Sequence, residues 1–215
     1  MISVVVLTKN EEKNIVDCLD SVSWADEIVI VDDFSEDRTT EIINALSFSP
    51  KIKVFKKRLE NDFSSQRNFA LLKCKYDWII FIDADERVSK ELREEINSVI
   101  IDEKNKEVSK GFYIRRRDVL FDKLLKHGEV GNIKLLRMAR RDSGEWKGKV
   151  HEEWKIDGKI SELENYITHY PHQELSEFLR EINFYSSIKA KELYEAKVKV
   201  SALDVVIYPK GKFFV

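Results

Sequence analysis

Glycine and proline are scarce, at 7 and 3 residues in a chain of 215, which excludes collagen-like, low-complexity and linker-dominated architectures and points to dense regular secondary structure. Cysteine is rarer still. Cys18 and Cys74 both fall within patterns that read as helices, so buried thiols are expected rather than a disulfide or a zinc site. No apolar run approaches the ~18 residues that span a bilayer, and the start MISVVVLTKNEE lacks the basic flank and cleavage site of a secretory signal. A cytoplasmic location is expected. Charge of one sign is also missing: 37 Lys+Arg face 39 Asp+Glu for a net −2, and with a pI near 6.2 nucleic acid is not an expected partner.

The balance hides an uneven distribution. Residues 104–149 hold 14 basic and 6 acidic side chains (+8), while the remainder holds 23 and 33 (−10). A basic middle segment in an acidic protein suits an anionic ligand or partner. Four apolar, β-branched runs, SVVVL (3–7), EIVIV (27–31), IKVF (52–55) and WIIFI (78–82), read as strands buried on both faces. Helical spacing lies between them: Ile15, Leu19 and Val22; Ile42, Ile43 and Leu46; Phe69 and Leu72 in a segment beginning near Asp62; then Leu92, Ile96, Val99 and Ile100 after a cap at Ser89. Strand and helix alternating four times predicts an α/β fold, with a Rossmann-like, mostly parallel sheet flanked by helices over about the first 100 residues. From Gly111 the pattern changes and predicts a mixed or antiparallel edge. Leu175, Phe178, Leu179, Ile182 and Tyr185 then share one face of an amphipathic C-terminal helix running to about Ala196.

Ligands of open α/β sheets bind beyond the carboxyl ends of the strands, so the residues leaving each strand carry the chemistry. The first strand exits into Thr8-Lys9-Asn10-Glu11, the second into Asp32-Asp33 and the fourth into Asp83-Ala84-Asp85-Glu86. A strand period of two points Asp83 and Asp85 the same way. Two anions emerging together from a buried strand repel unless a cation compensates, and Mg²⁺ or Mn²⁺, bound by carboxylate oxygens with positions left for water and phosphate, fits.

The series VVVLTKNEE, EIVIVDDFSEDRT, FSSQRNFAL and WIIFIDADE, in this order, resembles the family 2 glycosyltransferases of the GT-A fold, and the later GEWKGKVHEEW and HY segments resemble their lipopolysaccharide-core branch. The resemblance implies a glycosyltransferase domain over 1–172, with a nucleotide-sugar-binding half (1–103) and a mixed acceptor-side half (104–172), followed by a helical extension (173–215). It implies that Thr8, Asn10 and Glu11 line the nucleoside pocket, that Asp32 or Asp33 contacts the base, that Arg67 contacts the diphosphate, and that Asp83 and Asp85 lie at the metal-bound diphosphate, with Asp85 the direct ligand. The implied reaction is a hexosyl transfer with inversion, in which an acceptor hydroxyl attacks the anomeric carbon while Mn²⁺ or Mg²⁺ neutralises the departing diphosphate.

A base is also needed on the acceptor side. Glu152 matches the branch's HE pair, with His151 ligating the metal, orienting the glutamate or binding acceptor; Glu153 and Asp118 are the other candidates. Trp146 and Trp154 stack on a sugar face or pack as core. The cations Arg115, Arg116, Arg117, Lys134, Arg137, Arg140 and Arg141 suit an anionic glycan or lipid-linked acceptor, and His127-Gly128 with Gly131 suits a loop over the donor. The end IYPKGKFFV reads either as a chain cut before its natural end or as a segment whose apolar face meets a membrane surface or a second copy. Two other functions are weighed: a silent nucleotide-sugar-binding or scaffolding module, which would bind donor without turnover, and a nucleotidylyltransferase, which TKNEEKN disfavours by lacking a glycine-rich loop.

Overall fold

Valine and isoleucine runs build the centre of the fold, because β-branched side chains pack well on a pleated surface covered on both sides. The computed structural model describes residues 1–46, 51–101, 109–121, 123–125, 133–149, 152–171, 175–201 and 203–204. His151 and the proposed loop at His127, Gly128 and Gly131 lie outside the described residues. Strands β1 (Ile2–Thr8), β2 (Glu27–Asp32), β3 (Ile52–Lys56) and β4 (Trp78–Asp83) fall on the four expected runs. They pair in parallel in the order β3-β2-β1-β4.

Helices α1 (Ile15–Ser21), α2 (Thr39–Leu46), α3 (Phe63–Lys73) and α4 (Lys90–Ile101) cover the sheet. Side chains set two of their starts: Asp62 accepts the Ser65 N–H at 2.8 Å ahead of α3, and Ser89 Oγ accepts the Leu92 N–H at 3.1 Å ahead of α4. The strand period then divides two cores. Ile2, Val4 and Val6 pack with Ile15, Leu19, Ile43, Leu92 and Ile96, whereas Val5 on the other face packs with Ala70 and Leu71 of α3 and with Trp146 and Trp154. Both cysteines are free and buried, and burial pushes their thiols up, Cys74 to about 12.

The mixed region expected after Gly111 is present, but it lies inside the sheet. β8 (Ile133–Arg140) runs antiparallel between β4 and β6 (Gly111–Leu120), and β11 (Ile160–His169) runs parallel to β6. The edge strand is β5 (Glu86–Val88), antiparallel to β11, in residues that the sequence reads as a loop leaving β4. A two-residue strand, β7 (Lys123–Leu124), adds to β6. Separately, β9 (Gly144–Lys147) and β10 (Glu153–Ile156) form a hairpin. Gly144 is required there, since a Cβ at that position would meet the Lys155 carbonyl oxygen at 1.8 Å.

Glu27 opens β2 with only 3% exposure. It accepts from Ser3 Oγ at 2.5 Å, Lys53 Nζ at 2.7 Å and the Lys75 N–H at 2.7 Å. Burial alone would raise its pKa, yet these donors hold the carboxyl below its usual value. A depressed pKa contributes stability above the unfolded-state value of about 4.3, and that contribution is lost as pH falls through it toward the folded-state value. Glu27→Gln is therefore expected to weaken the protein at pH 7, and urea midpoints should show the gap from the parent narrowing below about pH 4.3.

By internal contacts the chain divides into Met1–Pro171 and His172–Val215. The second unit contains α5 (Leu175–Glu195), on which Leu175, Leu179 and Ile182 are spaced i, i+4, i+7 and are exposed. Among the described residues no helix is long and apolar enough to cross a membrane.

Candidate active site

The exits of β1 and β2 are tied together. Asn10, in a left-handed conformation with φ 55°, donates its N–H to Ser35 Oγ at 2.9 Å and accepts the Glu36 N–H at 2.8 Å. Glu11 donates its N–H to Thr39 Oγ1 at 2.7 Å and accepts from Asn14 at 2.9 Å. Asp32 is wholly buried and accepts both the N–H and the hydroxyl of Ser35, so it shapes the turn. Asp33 accepts from Lys9 Nζ at 2.8 Å and from the Leu59 N–H at 2.9 Å. Thr8 Oγ1 is buried with no partner among the described residues.

β4 delivers Asp83 into a buried ion network. Its Oδ2 accepts from Arg137 Nη2 at 2.6 Å and its Oδ1 from Arg67 Nη2 at 3.2 Å. Arg137, on β8, also donates to Glu86 Oε1 at 3.0 Å, and Glu86 Oε2 accepts the Asp83 backbone N–H at 2.9 Å. Burial pushes the Asp83 pKa up, but the Arg137 and Arg67 guanidiniums overcome it and hold the carboxyl well below the usual range. In Glu86 burial wins over Arg137 and the pKa is raised.

The strand ends at Asp83, so the alternation that would set Asp83 and Asp85 side by side stops there, and the two carboxylates take different partners. Asp85 Oδ2 lies 3.1 Å from His169 Nε2, while His169 Nδ1 lies 3.0 Å from Asp118 Oδ1. Arg116 Nε sits 3.0 Å from the same Asp118 oxygen. Burial disfavours the imidazolium, but the bonds to Asp118 and Asp85 dominate and push the His169 pKa up to about 10. Backbone pairing fixes this cluster: Glu86 stands opposite His169 in the β5–β11 ladder, and the Tyr170 N–H donates to the Asp85 carbonyl at 2.8 Å.

Arg67 reaches the β9–β10 hairpin as well. Its Nε donates to Glu152 Oε1 at 2.7 Å, and its guanidinium lies 4.7 Å from the Trp146 ring and 5.4 Å from Phe81. Trp146 and Trp154 stack on each other at 5.2 Å and are buried, so they serve as core, and Asn68 of α3 donates to the Trp146 carbonyl and accepts the Trp146 N–H, each at 2.9 Å. Glu153 points to the exposed side, where it pairs with Lys155.

All seven cations named from the basic segment have internal partners. Arg115 and Lys134 bind Glu162, Arg116 binds Asp118, Arg137 binds Asp83 and Glu86, Arg117 and Arg140 lie over Tyr166 and Trp78, and Arg141 donates to the Cys74 carbonyl. His169 is the residue of the network that sequence reasoning does not name; Arg137 is expected only at an anionic acceptor and Glu86 only as a residue leaving β4, and neither is expected as a partner of Asp83. The HY pair is the one sequence signal that points to His169.

Residues 3–155 match the family described as Glycosyl transferase family 2. The chain is 30% identical over 215 residues to an uncharacterised glycosyltransferase of Rickettsia bellii, covering 95% of this chain and 71% of that protein. It is 28% identical over 211 residues to the lipopolysaccharide core biosynthesis glycosyltransferase LpsC of Rhizobium meliloti, covering 97% and 77%. S. aureus TarS 1–349 in complex with UDP shares the fold with a TM-score of 0.59 at 20% identity; the match covers 79% of this chain and spans 60% of that one. A match over residues 3–155, on a sheet shared with that structure, leads to one conclusion: the chain has the GT-A fold and belongs to glycosyl transferase family 2.

Proposed function

We propose that the chain transfers a sugar, with inversion, from a UDP-sugar to a hydroxyl of a cell-envelope glycan acceptor, with Glu152 as the base. The observation that carries this reading is Arg67, which binds Glu152 at 2.7 Å and Asp83 at 3.2 Å and so ties the acceptor-side hairpin to the DxD edge of the sheet. The acceptor oxygen bonds to the anomeric carbon, the bond from that carbon to the diphosphate oxygen breaks, and the acceptor proton passes to Glu152. Glu152 is preferred because it gives only Oε1 to Arg67 and its Oε2 has no partner among the described residues, whereas both oxygens of Asp118 are taken by His169 and Arg116, and Glu153 is exposed and pairs with Lys155. TarS has been solved with UDP and with UDP-GlcNAc, which supports a UDP-linked donor, and the LpsC relative supports an envelope acceptor.

Asp85 and His169 would hold a divalent cation, which on binding would replace the proton that His169 Nε2 shares with Asp85. Their facing atoms are 3.1 Å apart, close to the spacing of neighbouring ligands each about 2.1 Å from one ion, and Asp118 orients the ring from its other nitrogen. No group of three or more His, Cys, Asp or Glu among the described residues completes a site alone, so donor oxygens and water supply the rest. Mn²⁺ or Mg²⁺ bound there supplies Lewis-acid neutralisation of the departing diphosphate. Thr8, with its unpartnered buried hydroxyl, together with Asn10, Glu11 and Asp33 receives the nucleoside, and Asp32 shapes the loop beneath it.

A thermal-shift panel of UDP, GDP, CDP and dTDP, each with and without Mn²⁺, tests the reading. UDP with metal is expected to stabilise the folded chain by about 2.7 kcal/mol at a hundred times its Kd. Asp85→Ala should abolish the metal-dependent part. No shift with any nucleotide, or an unchanged shift in Asp85→Ala, sinks the proposal.

A further inference from the structure

The β3 edge of the sheet carries a surface that the transfer reaction does not use. Five of the eight residues 51–58 (KIKVFKKR) are Lys or Arg and none is acidic, and residues 72–76 (LKCKY) add Lys73 and Lys75. On the α3 side, Lys73 Nζ lies 5.3 Å from the Phe55 ring and 5.0 Å from Phe69, and Lys57 Nζ lies 5.7 Å from Phe69. Around the edge, Lys56 and Arg58 flank Phe34 at 5.8 and 4.4 Å. Lys53 has a carboxylate partner in Glu27, but among the described residues no acidic side chain pairs with Lys56, Lys57, Arg58, Lys73 or Lys75. The seven cations named from the middle segment, by contrast, have partners within the fold. Apolar groups stand beside these cations: Leu72, which precedes Lys73 on α3, is 83% exposed, and Phe34, under Lys56 and Arg58, is 39% exposed.

We infer that this β3–α3 edge docks on an anionic phospholipid surface. Unpaired cations held over aromatic rings present charge outward to headgroup phosphates, each adding about fivefold in partitioning, while Leu72 and Phe34 enter the headgroup boundary. A second copy of the chain is disfavoured as occupant, because Lys53 and Lys56 on an edge strand oppose strand addition. Docking there sets α3 against the bilayer, and the buried face of the same helix carries Arg67 into the active site.

Sedimentation of the full chain with phosphatidylcholine vesicles, with and without phosphatidylglycerol, tests this surface. Binding is expected only with the anionic lipid and should weaken as salt rises. The triple variant Lys56→Glu, Lys57→Glu, Lys73→Glu should lose about a hundredfold or more in partitioning, and Leu72→Ser several-fold, with the thermal midpoint and any UDP-induced shift unchanged. Lys56 and Leu72 are exposed and Lys57 and Lys73 half-buried over Phe55 and Phe69, so a second variant, Lys56→Gln, Lys57→Gln, Lys73→Gln, removes the charge without setting an anion against those rings and should also lose vesicle binding. The inference is overturned if the parent fails to sediment with anionic vesicles, binds neutral vesicles equally, or sediments as well when triply substituted. Retention on heparin without vesicle binding would also overturn it and assign the surface to another polyanion.

Discussion

Arg137→Met is expected to lower the thermal midpoint by about 6–12 °C, the equivalent of about 3 kcal/mol for a chain of this size. The substitution nearly conserves volume, so the loss is electrostatic. Arg137 is 5% exposed and donates to Asp83 at 2.6 Å and to Glu86 at 3.0 Å. Without it, among the described residues, the Glu86 carboxyl, fully buried, keeps only the Asp83 N–H, and the Asp83 carboxyl keeps only Arg67. Breaking a buried pair costs about 3–5 kcal/mol, and the lower end applies because the Asp83 side chain is 31% exposed and part-solvated. Adding Glu86→Gln to Arg137→Met should recover part of the loss, since the amide oxygen still accepts the Asp83 N–H while the unpaired charge disappears. A midpoint within about 2 °C of the parent in the single variant would show that Arg137 does not hold the DxD turn.

That network also marks how far the sequence could be read. The four parallel strands, the caps at Asp62 and Ser89 and the acidic exit of β4 are all local: period, composition and a capping side chain lie within a few residues of one another. Glu152 and Arg67 were also accessible, because each sits in a motif of its own segment. Their contact was not, since it joins α3 to a hairpin 85 residues later. His169 shows the same limit. Nothing near residue 169 says that β11 pairs with a three-residue strand starting at Glu86, and that pairing is what carries its imidazole to Asp85. The basic segment shows the same limit: Arg115, Lys134 and Arg137 take Glu162, Asp83 and Glu86 as partners from other strands and the β4 exit, while Lys56, Lys57 and Arg58 of the shorter run at residues 51–58 have no acidic partner among the described residues. Charge counted along a chain does not reveal which charges remain after the carboxylates of neighbouring strands are brought beside them.

Glu152→Gln is expected to reduce sugar transfer by about 10²–10⁴-fold while leaving nucleotide binding intact. The glutamine oxygen still accepts from Arg67 Nε, so the tie between hairpin and α3 persists and the variant stays folded. What it loses is the ability to take a proton. Asp85→Ala should act on the other half of the proposed reaction: metal-dependent UDP binding is expected to fall together with turnover, because that carboxylate faces His169 and is proposed to hold the cation with it. The two variants should therefore separate cleanly when transfer rate and UDP-induced thermal shift are measured side by side. Glu153→Gln serves as the control, because its side chain is exposed and paired with Lys155 away from Arg67. If Glu152→Gln retains turnover within a few-fold while Asp118→Asn abolishes it, the base is Asp118, and the Arg67–Glu152 pair is reduced to a fastening between the hairpin and the sheet.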